Sequence, residues 1–202
     1  MATHGPGFEA TLWRNPLAQT LRFEVACGLI PVTGLRVADL GCGMGDLAGW
    51  LHSSGMQPAA YFGIDALPDM VHAAEARSEV GHEFHVQFAV ADITDDVSVL
   101  RDWSPDVCVI SGSLNTMTQA QAMKVVAEAF DISKGGVVFN FLSDMPHPRF
   151  ENQDTSPASR FSTIDFLQWS LKKTPWVQFR QDYIDGHDAT IAMKKVNAEE
   201  AC

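Results

Sequence analysis

Long apolar runs are absent from this sequence, although 46% of its 202 residues are hydrophobic. No uninterrupted run approaches the roughly 20 residues that a membrane-spanning helix needs, so we expect no membrane partner. Residues 1–15 also lack the basic patch and following apolar core of a secretory signal. A chain of this length is enough for one well-buried domain and short for two.

Cysteines are few and show no pairing pattern. The four of them lie at positions 27, 42, 108 and 202, without a CxxC pair and without zinc-ligand spacing. Cys42 and Cys108 lie in apolar stretches, where a free thiol behaves as a small core residue. We therefore expect a reduced, cytoplasmic protein with no metal site.

Basic residues are scarce as well. The chain has 14 Lys and Arg against 25 Asp and Glu, for a formal net charge of −11. Nucleic-acid binding depends largely on Lys and Arg that neutralise phosphates, so we expect no nucleic-acid partner. An acidic surface suits a neutral or cationic small ligand instead.

Short apolar stretches alternate regularly with helical patterns over most of the chain. Five β–α alternations predict a mostly parallel sheet with helices on both faces. The predicted strands span 35–40, 59–65, 85–93, 106–111 and 135–143, and helices are predicted over 16–28, from 46, over 68–80, 95–103 and 118–133. The pattern breaks at 144–160, a stretch with three prolines that we interpret as a long loop or lid. A helix at 162–173 and two strands at 176–184 and 189–195 follow, and the Asp-Gly pair between those strands favours a hairpin.

The stretch VADLGCGMGD, residues 37–46, places alternate glycines directly behind the first predicted strand. A dinucleotide fingerprint, G-x-G-x-x-G, would need its third glycine where this chain has Asp46. A carboxylate at the start of the next helix would also repel a pyrophosphate. Both observations argue against a nicotinamide oxidoreductase.

The pattern Asp39-x-Gly41-x-Gly43-x-Gly45 instead resembles motif I of class I S-adenosylmethionine-dependent methyltransferases, and the resemblance extends over most of the chain. It implies a Rossmann-like α/β fold, a doubly wound seven-stranded mixed sheet that ends in an antiparallel hairpin. It also implies that S-adenosylmethionine binds to the following residues: Asp39, Gly41, Cys42, Gly43, Gly45, Asp65, Ala66, Asp92, Ile93 and Ser111.

Two further acids fit the family in order and spacing. Asp65 ends the second strand, 20 residues after Gly45, where the family has an acid that binds both ribose hydroxyls. Asp92 ends the third strand, where the family's acid contacts the adenine amino group, and Ala66 with Leu67 would flank the ring. Either acid alone would also suit a helix N-cap. Together the three acids predict one ligand crevice at the carboxyl ends of successive strands.

The acceptor side gives a weaker signal. The tetrapeptide N/D-P-P-Y/F, which marks methylation of planar amino groups, is absent from the end of the fourth strand, which reads ISGSLNTM. The stretches ISGSLN and GGVVFNFLSD resemble small class I methyltransferases whose acceptors are poorly defined. Ser111 and Asn115 either orient an acceptor or cap the helix near Thr118. His147, in the predicted lid, is the best candidate base by position.

The expected function is methyl transfer from S-adenosylmethionine to a small-molecule acceptor, with S-adenosylhomocysteine as the product. Residues 1–34 would form a helical cover, and residues 35–202 the methyltransferase domain, within one structural unit. Two alternatives remain open: a non-catalytic protein that binds S-adenosylmethionine or S-adenosylhomocysteine, and a protein or RNA methyltransferase.

Overall fold

The computed structural model describes residues 16–78, 83–95 and 98–196. Their centre is a seven-stranded sheet with the strand order β3-β2-β1-β4-β5-β7-β6. The first five strands are parallel, and β7 is antiparallel to both of its neighbours. The strands are β1 Arg36–Leu40, β2 Ala60–Asp65, β3 His85–Val90, β4 Val107–Ile110, β5 Gly136–Leu142, β6 Val177–Arg180 and β7 Asp188–Lys194. The predicted seven-stranded mixed sheet is confirmed.

Helices cover both faces of the sheet, as the alternation predicts. They are α1 Pro16–Leu29, α2 Asp46–Ser53, α3 Pro68–Ser78, α4 Ser98–Trp103, α5 Gln119–Ile132 and α6 Thr163–Lys173. One apolar core lies between the sheet and α5 and α6, and a second lies between the sheet and α1 and α2. The central strands β1 and β4 are buried on both faces, which explains their nearly continuous apolar sequences. Among the described residues, no helix is long and apolar enough to cross a membrane.

The helix starts follow local sequence rules. Thr118 caps α5 through a capping box in which its hydroxyl accepts the Gln121 N–H and the Gln121 side chain binds the Thr118 backbone. Ser162 caps α6 through its hydroxyl alone, which accepts the Asp165 N–H. The helix predicted near Thr118 is therefore capped by Thr118 itself, and not by Ser111 or Asn115.

The C-terminal ribbon is antiparallel as predicted, but its connection is longer than an Asp-Gly hairpin. β6 ends at Arg180, earlier than the predicted 184, and residues 181–187 connect it to β7. The Gln181 side-chain amide holds this connection, because it donates to the Ser143 hydroxyl and to the carbonyls of Met145 and Gly186. Asp185 and Gly186 do have the positive φ angles that such a turn requires.

The predicted lid, 144–160, is anchored at both of its ends. Ser143 and Phe161 form a parallel β-bridge, and the Phe161 side chain is fully buried among other aromatic rings. Arg160 donates from its guanidinium to the carbonyls of Ser143 and Phe150. The segment therefore folds back over the carboxyl end of β5.

Candidate active site

The main cleft has a volume of about 370 Å³ and opens where the parallel strands end. This is the usual ligand position in open α/β sheets, and the volume is within the range of small-molecule sites. Seven of the ten residues predicted to bind the cofactor line it: Gly41, Gly43, Asp65, Ala66, Asp92, Ile93 and Ser111. A small pocket beside it is lined by Asp39 and Cys42 and shares Gly41, Gly43 and Ser111 with the main cleft. Gly45 lines neither cavity and is the N-cap of α2.

The glycine loop needs glycine for backbone reasons of its own. Gly41, Gly43 and Gly45 all have positive φ, at 77°, 53° and 73°. A Cβ on Gly41 would also lie 2.5 Å from the Cβ of Ser113. The loop is tied to β2, because the N–H groups of Gly41 and Cys42 both donate to the Ile64 carbonyl. The Gly41 carbonyl is therefore the group that this residue can offer to a cation.

Asp39 is buried beneath the glycine loop, where it accepts a 2.5 Å hydrogen bond from the Tyr61 hydroxyl. Burial raises the pKa of Asp39 to about 7, and the neighbouring carboxylates of Asp65 and Asp46 add to the rise. Near neutral pH this carboxyl group is thus poised between its two charge states. A positively charged group in the small pocket would favour the ionised state.

Asp65 is held in place by the loops on either side of it. One of its carboxylate oxygens accepts the Gly43 N–H at 2.9 Å, and the other accepts the Leu67 N–H at 3.0 Å. Each carboxylate oxygen can accept a second hydrogen bond. The side chain is therefore fixed in orientation and still able to receive two hydroxyl donors from the main cleft.

Asp92 lines the main cleft and is exposed. One of its carboxylate oxygens accepts both the backbone N–H and the hydroxyl of Thr94, and these bonds lower the pKa of Asp92. Ile93 beside it is buried. Asp92 is thus an ionised acceptor at the mouth of the cleft near neutral pH.

Ser111 is the residue that joins the two cavities. It follows β4 and lines both the main cleft and the small pocket. Its buried hydroxyl has no hydrogen-bond partner among the described residues. A buried polar atom without a partner costs free energy, so its position between two cavities indicates a ligand contact.

A family model of the methyltransferase domain matches residues 37–136, from β1 to the first residue of β5. This span carries every carboxyl strand end that lines the main cleft, and the strand order agrees with the class I fold. The chain is a class I S-adenosylmethionine-dependent methyltransferase. S-adenosylmethionine is the methyl donor of this family.

Solved structures share the fold of this methyltransferase at low sequence identity. Magnesium protoporphyrin IX methyltransferase from Synechocystis PCC 6803, with bound S-adenosylhomocysteine, is 14% identical over 89% of this chain and 84% of its own, with a TM-score of 0.69. An S-adenosylmethionine-dependent methyltransferase from Aquifex aeolicus is 16% identical over 96% of this chain and 100% of its own, with a TM-score of 0.66. The small RNA methyltransferase HEN1 is 14% identical over 98% of this chain and 27% of its own, with a TM-score of 0.69. No curated protein matches the sequence.

Two of the predicted catalytic residues lie outside the residues that line either cavity of the methyltransferase. Asn115 is buried, and its amide links two backbone segments by accepting the Leu142 N–H and donating to the Ser159 carbonyl. His147 is exposed, and its Nδ1 accepts the Arg149 N–H. Asn115 therefore connects the end of β5 to the predicted lid, and among the described residues neither side chain is hydrogen-bonded to the Ser111 hydroxyl.

Several lining residues were not predicted from the sequence. In the main cleft they are Met70, Ala91, Thr94, Gly112, Ser113, Thr116 and Met117, and in the small pocket Gln19, Phe23, Asp46 and Leu47. Gly112 to Met117 belong to the same stretch after β4 that contains Ser111, so their neighbourhood was a usable signal. Gln19 had none, because α1 brings it to Asp46, 27 residues away, through a 3.1 Å hydrogen bond.

Within the described ranges, no group of three or more His, Cys, Asp or Glu side chains is arranged to hold a metal ion. The described cysteines, Cys27, Cys42 and Cys108, are buried and unpaired. Burial raises the pKa of each thiol above its ordinary value. These thiols are therefore protonated near neutral pH and have the character of core residues.

Proposed function

We propose that S-adenosylmethionine binds across the main cleft and the small pocket, with the nucleoside in the former and the methionyl group in the latter. Nine of the ten residues named from the sequence line these cavities and would hold it, while Gly45, the N-cap of α2, would shape the loop. The observation that carries the proposal is the unpartnered Ser111 hydroxyl between the two cavities. Such an atom is a ready contact for a ligand that crosses from one cavity to the other.

Each part of the cofactor has residues of suitable chemistry. Asp65 retains an acceptor position on each oxygen for the two ribose hydroxyls. Asp92 and the Ile93 backbone would bind the adenine, beside the exposed Leu67 side chain. The ammonium group would meet the Gly41 carbonyl and the ionised form of Asp39, which burial makes responsive to a nearby positive charge.

Methyl transfer needs alignment more than strong acid or base chemistry. S-adenosylmethionine, when bound, supplies a methyl group on a positively charged sulfur. The chain's own residues would fix the reactants and exclude water. In this proposal Ser111 orients the reactants, while Asn115 acts at a distance by holding the lid segment to β5. His147 remains a prediction as a base.

We propose a small-molecule acceptor, approached through the side of the cleft lined by Thr116 and Met117. The net charge of −11 opposes binding of nucleic acid, which argues against an RNA acceptor. Segment 144–160 is proposed as a lid and α1 as part of the 1–34 cover. Residues 1–15 of the predicted cover lie outside the described residues. A cytoplasmic location also stays a prediction.

Isothermal titration calorimetry of the purified chain tests the proposal. We expect S-adenosylhomocysteine and S-adenosylmethionine to bind with one site per chain, and NAD to give no saturable heat. Saturable binding of NAD without binding of S-adenosylhomocysteine would overturn it.

A non-catalytic role predicts tight binding with no formation of S-adenosylhomocysteine when the chain is incubated with a cell extract. A small-molecule acceptor predicts that S-adenosylhomocysteine forms. It also predicts that the filtrate of the extract, after passage through a small-pore membrane, still supports formation of this product.

A further inference from the structure

A buried polar cluster lies at the carboxyl edge of the sheet, beyond the cavities described above. It consists of Arg22, Asn140, His187 and Asp188, and we call it the Asp188 network. Asp188 is the first residue of β7, where it pairs in register with Leu142 at the end of β5. Because β7 is antiparallel, its first residue lies at the same edge as the ends of the parallel strands.

Asp188 is fully used as a hydrogen-bond acceptor. One oxygen accepts from Arg22 Nη2 at 3.1 Å and pairs with His187 Nδ1 at 2.7 Å. The other accepts from Arg22 Nε and from Asn140 Nδ2. Burial alone would raise the pKa of Asp188, but the His187 hydrogen bond and the Arg22 charge outweigh it and lower that pKa. Asp188 is therefore ionised, and each of its carboxylate oxygens already has two hydrogen-bond partners.

An ionised Asp188 fixes the tautomer of His187. A carboxylate only accepts hydrogen bonds, so the Nδ1 atom that it contacts must carry the hydrogen. In the neutral imidazole Nε2 then holds the lone pair, which is the state that can accept a proton. Within the described residues, Nε2 has no hydrogen-bond partner, and 13% of the side chain is exposed.

Two separate connections join this network to the cavities. The Asn140 amide that donates to Asp188 also accepts the N–H of Gly112, at 2.8 Å, and Gly112 lines the main cleft. On the other side, Arg22 lies one turn of α1 after Gln19, which lines the small pocket with Ser111. Asn140 therefore links Asp188 to the wall of the main cleft, and Arg22 links it to the turn of α1 that carries Gln19.

His147 and His187 both lie outside the residues that line the two cavities, and they differ in tautomer. His147 Nδ1 accepts a backbone N–H, so its neutral ring carries the hydrogen on Nε2 and has no vacant acceptor nitrogen. His187 has the opposite arrangement, and its ring makes a T-shaped contact with Phe150 from the proposed lid, at 4.6 Å between ring centroids. The charged groups around it are Asp188, Arg22 and Arg160, which contacts its carbonyl.

We propose that His187, and not His147, accepts the proton of the methyl acceptor, which is therefore an alcohol, phenol or amine. This inference rests on the proposed function. The acceptor's oxygen or nitrogen forms a bond to the methyl carbon, the carbon–sulfur bond breaks with its electron pair going to sulfur, and the proton passes to His187 Nε2. Asp188, Arg22 and Asn140 are positioning residues that fix the ring.

The tautomer is tested directly by long-range ¹H–¹⁵N NMR on the intact chain labelled at histidine, with His187→Gln used to assign the signal. We expect His187 at pH 8 to show an Nδ1–H tautomer with a bare Nε2, both alone and with S-adenosylhomocysteine added. A His187 signal with hydrogen on Nε2 would overturn the proposal whatever the activity.

Turnover is tested with a panel of small phenols, alcohols and amines and, beside it, aryl thiols that are already ionised at pH 8. His187→Gln is expected to lower kcat for the protonated acceptors by about 10²–10⁴-fold and to leave the thiols within about threefold. His187→Ala should regain turnover of the protonated acceptors when imidazole is added. His85→Gln is the matched control, because His85 is exposed and begins β3 at the opposite edge of the sheet.

Calorimetry with S-adenosylhomocysteine distinguishes a failure of the proposed function from a failure of the proposed role of His187. Affinity in His187→Gln should equal that of the unchanged chain within about twofold. An unchanged chain that binds neither S-adenosylmethionine nor S-adenosylhomocysteine would refute the proposed function itself. Normal binding together with equal kcat in the unchanged chain and His187→Gln would refute only the role of His187.

Discussion

The main cleft and the Asp188 network lie at the same edge of the sheet but use their charged groups differently. In the cleft, Asp65 and Asp92 accept bonds from nearby loop residues and keep acceptor positions open toward the cavity. In the network, Asp188 is saturated by side chains, one of them 166 residues away in the sequence. An acid with spare acceptor positions can bind a ligand, whereas a saturated acid can only orient a neighbouring group. The difference supports the proposals that the cleft binds the cofactor and that the network positions His187.

The largest effect is expected from Arg22→Ala, which leaves the buried Asp188 carboxylate without its cation. Removing one partner of a buried ion pair typically costs about 3–5 kcal/mol of unfolding free energy. Urea unfolding measures the loss. Lys124→Ala, which removes an exposed i,i+4 pair with Glu128, should change stability very little.

The double variant Arg22→Ala with Asp188→Asn sharpens this prediction. It leaves no buried charge at the network, so we expect it to be more stable than Arg22→Ala alone. A double variant no more stable than the single one would show that packing of Arg22, and not its charge, anchors α1.

A pH effect is expected at Asp39, whose pKa is raised from 3.8 to about 7 in the folded chain. Between those values the unfolded chain has lost the proton that the folded chain retains, so this group lowers stability as pH rises from about 4 to 7. Asp39→Asn removes that contribution, and its stability relative to the unchanged chain should grow over this range by an amount on the order of 2–4 kcal/mol, then stay constant. Urea unfolding at pH 4, 6 and 8 measures it. A constant difference between the two chains would contradict the raised pKa.

Glycine substitutions should have opposite effects inside and outside the loop. Gly41→Ala combines a positive φ with a contact to Ser113, and we expect it to destabilise the chain by about 2–3 kcal/mol. Gly49→Ala lies inside α2 with nothing within 4 Å of the new Cβ, and should stabilise the chain by about 0.5–1 kcal/mol. Equal effects in thermal unfolding would mean that the loop does not need its left-handed conformation.

Much of the cleft could be predicted because its signals are local. The glycine loop follows β1, Asp65 is the last residue of β2, and Asp92 lies two residues after β3. The order of strands brings them to one edge. The Asp188 network could not be predicted in this way. Arg22, Asn140 and Asp188 lie in three separate elements, and only the antiparallel insertion of β7 beside β5 brings them together. Asn115 shows the same limit, since its partners, Leu142 and Ser159, are far along the chain.

The assignment of the main cleft to the cofactor is tested most directly by titrating S-adenosylhomocysteine into Asp65→Ala and Asp69→Ala in parallel. Asp65 lines the main cleft, whereas Asp69 is an exposed acid in the first turn of α3 and does not line either cavity. Asp65→Ala should weaken binding by about 1–3 kcal/mol, because charged hydrogen bonds to the ribose are lost, and Asp69→Ala should bind as the unchanged chain does. Unchanged affinity in Asp65→Ala would contradict the assignment of the cleft to the cofactor.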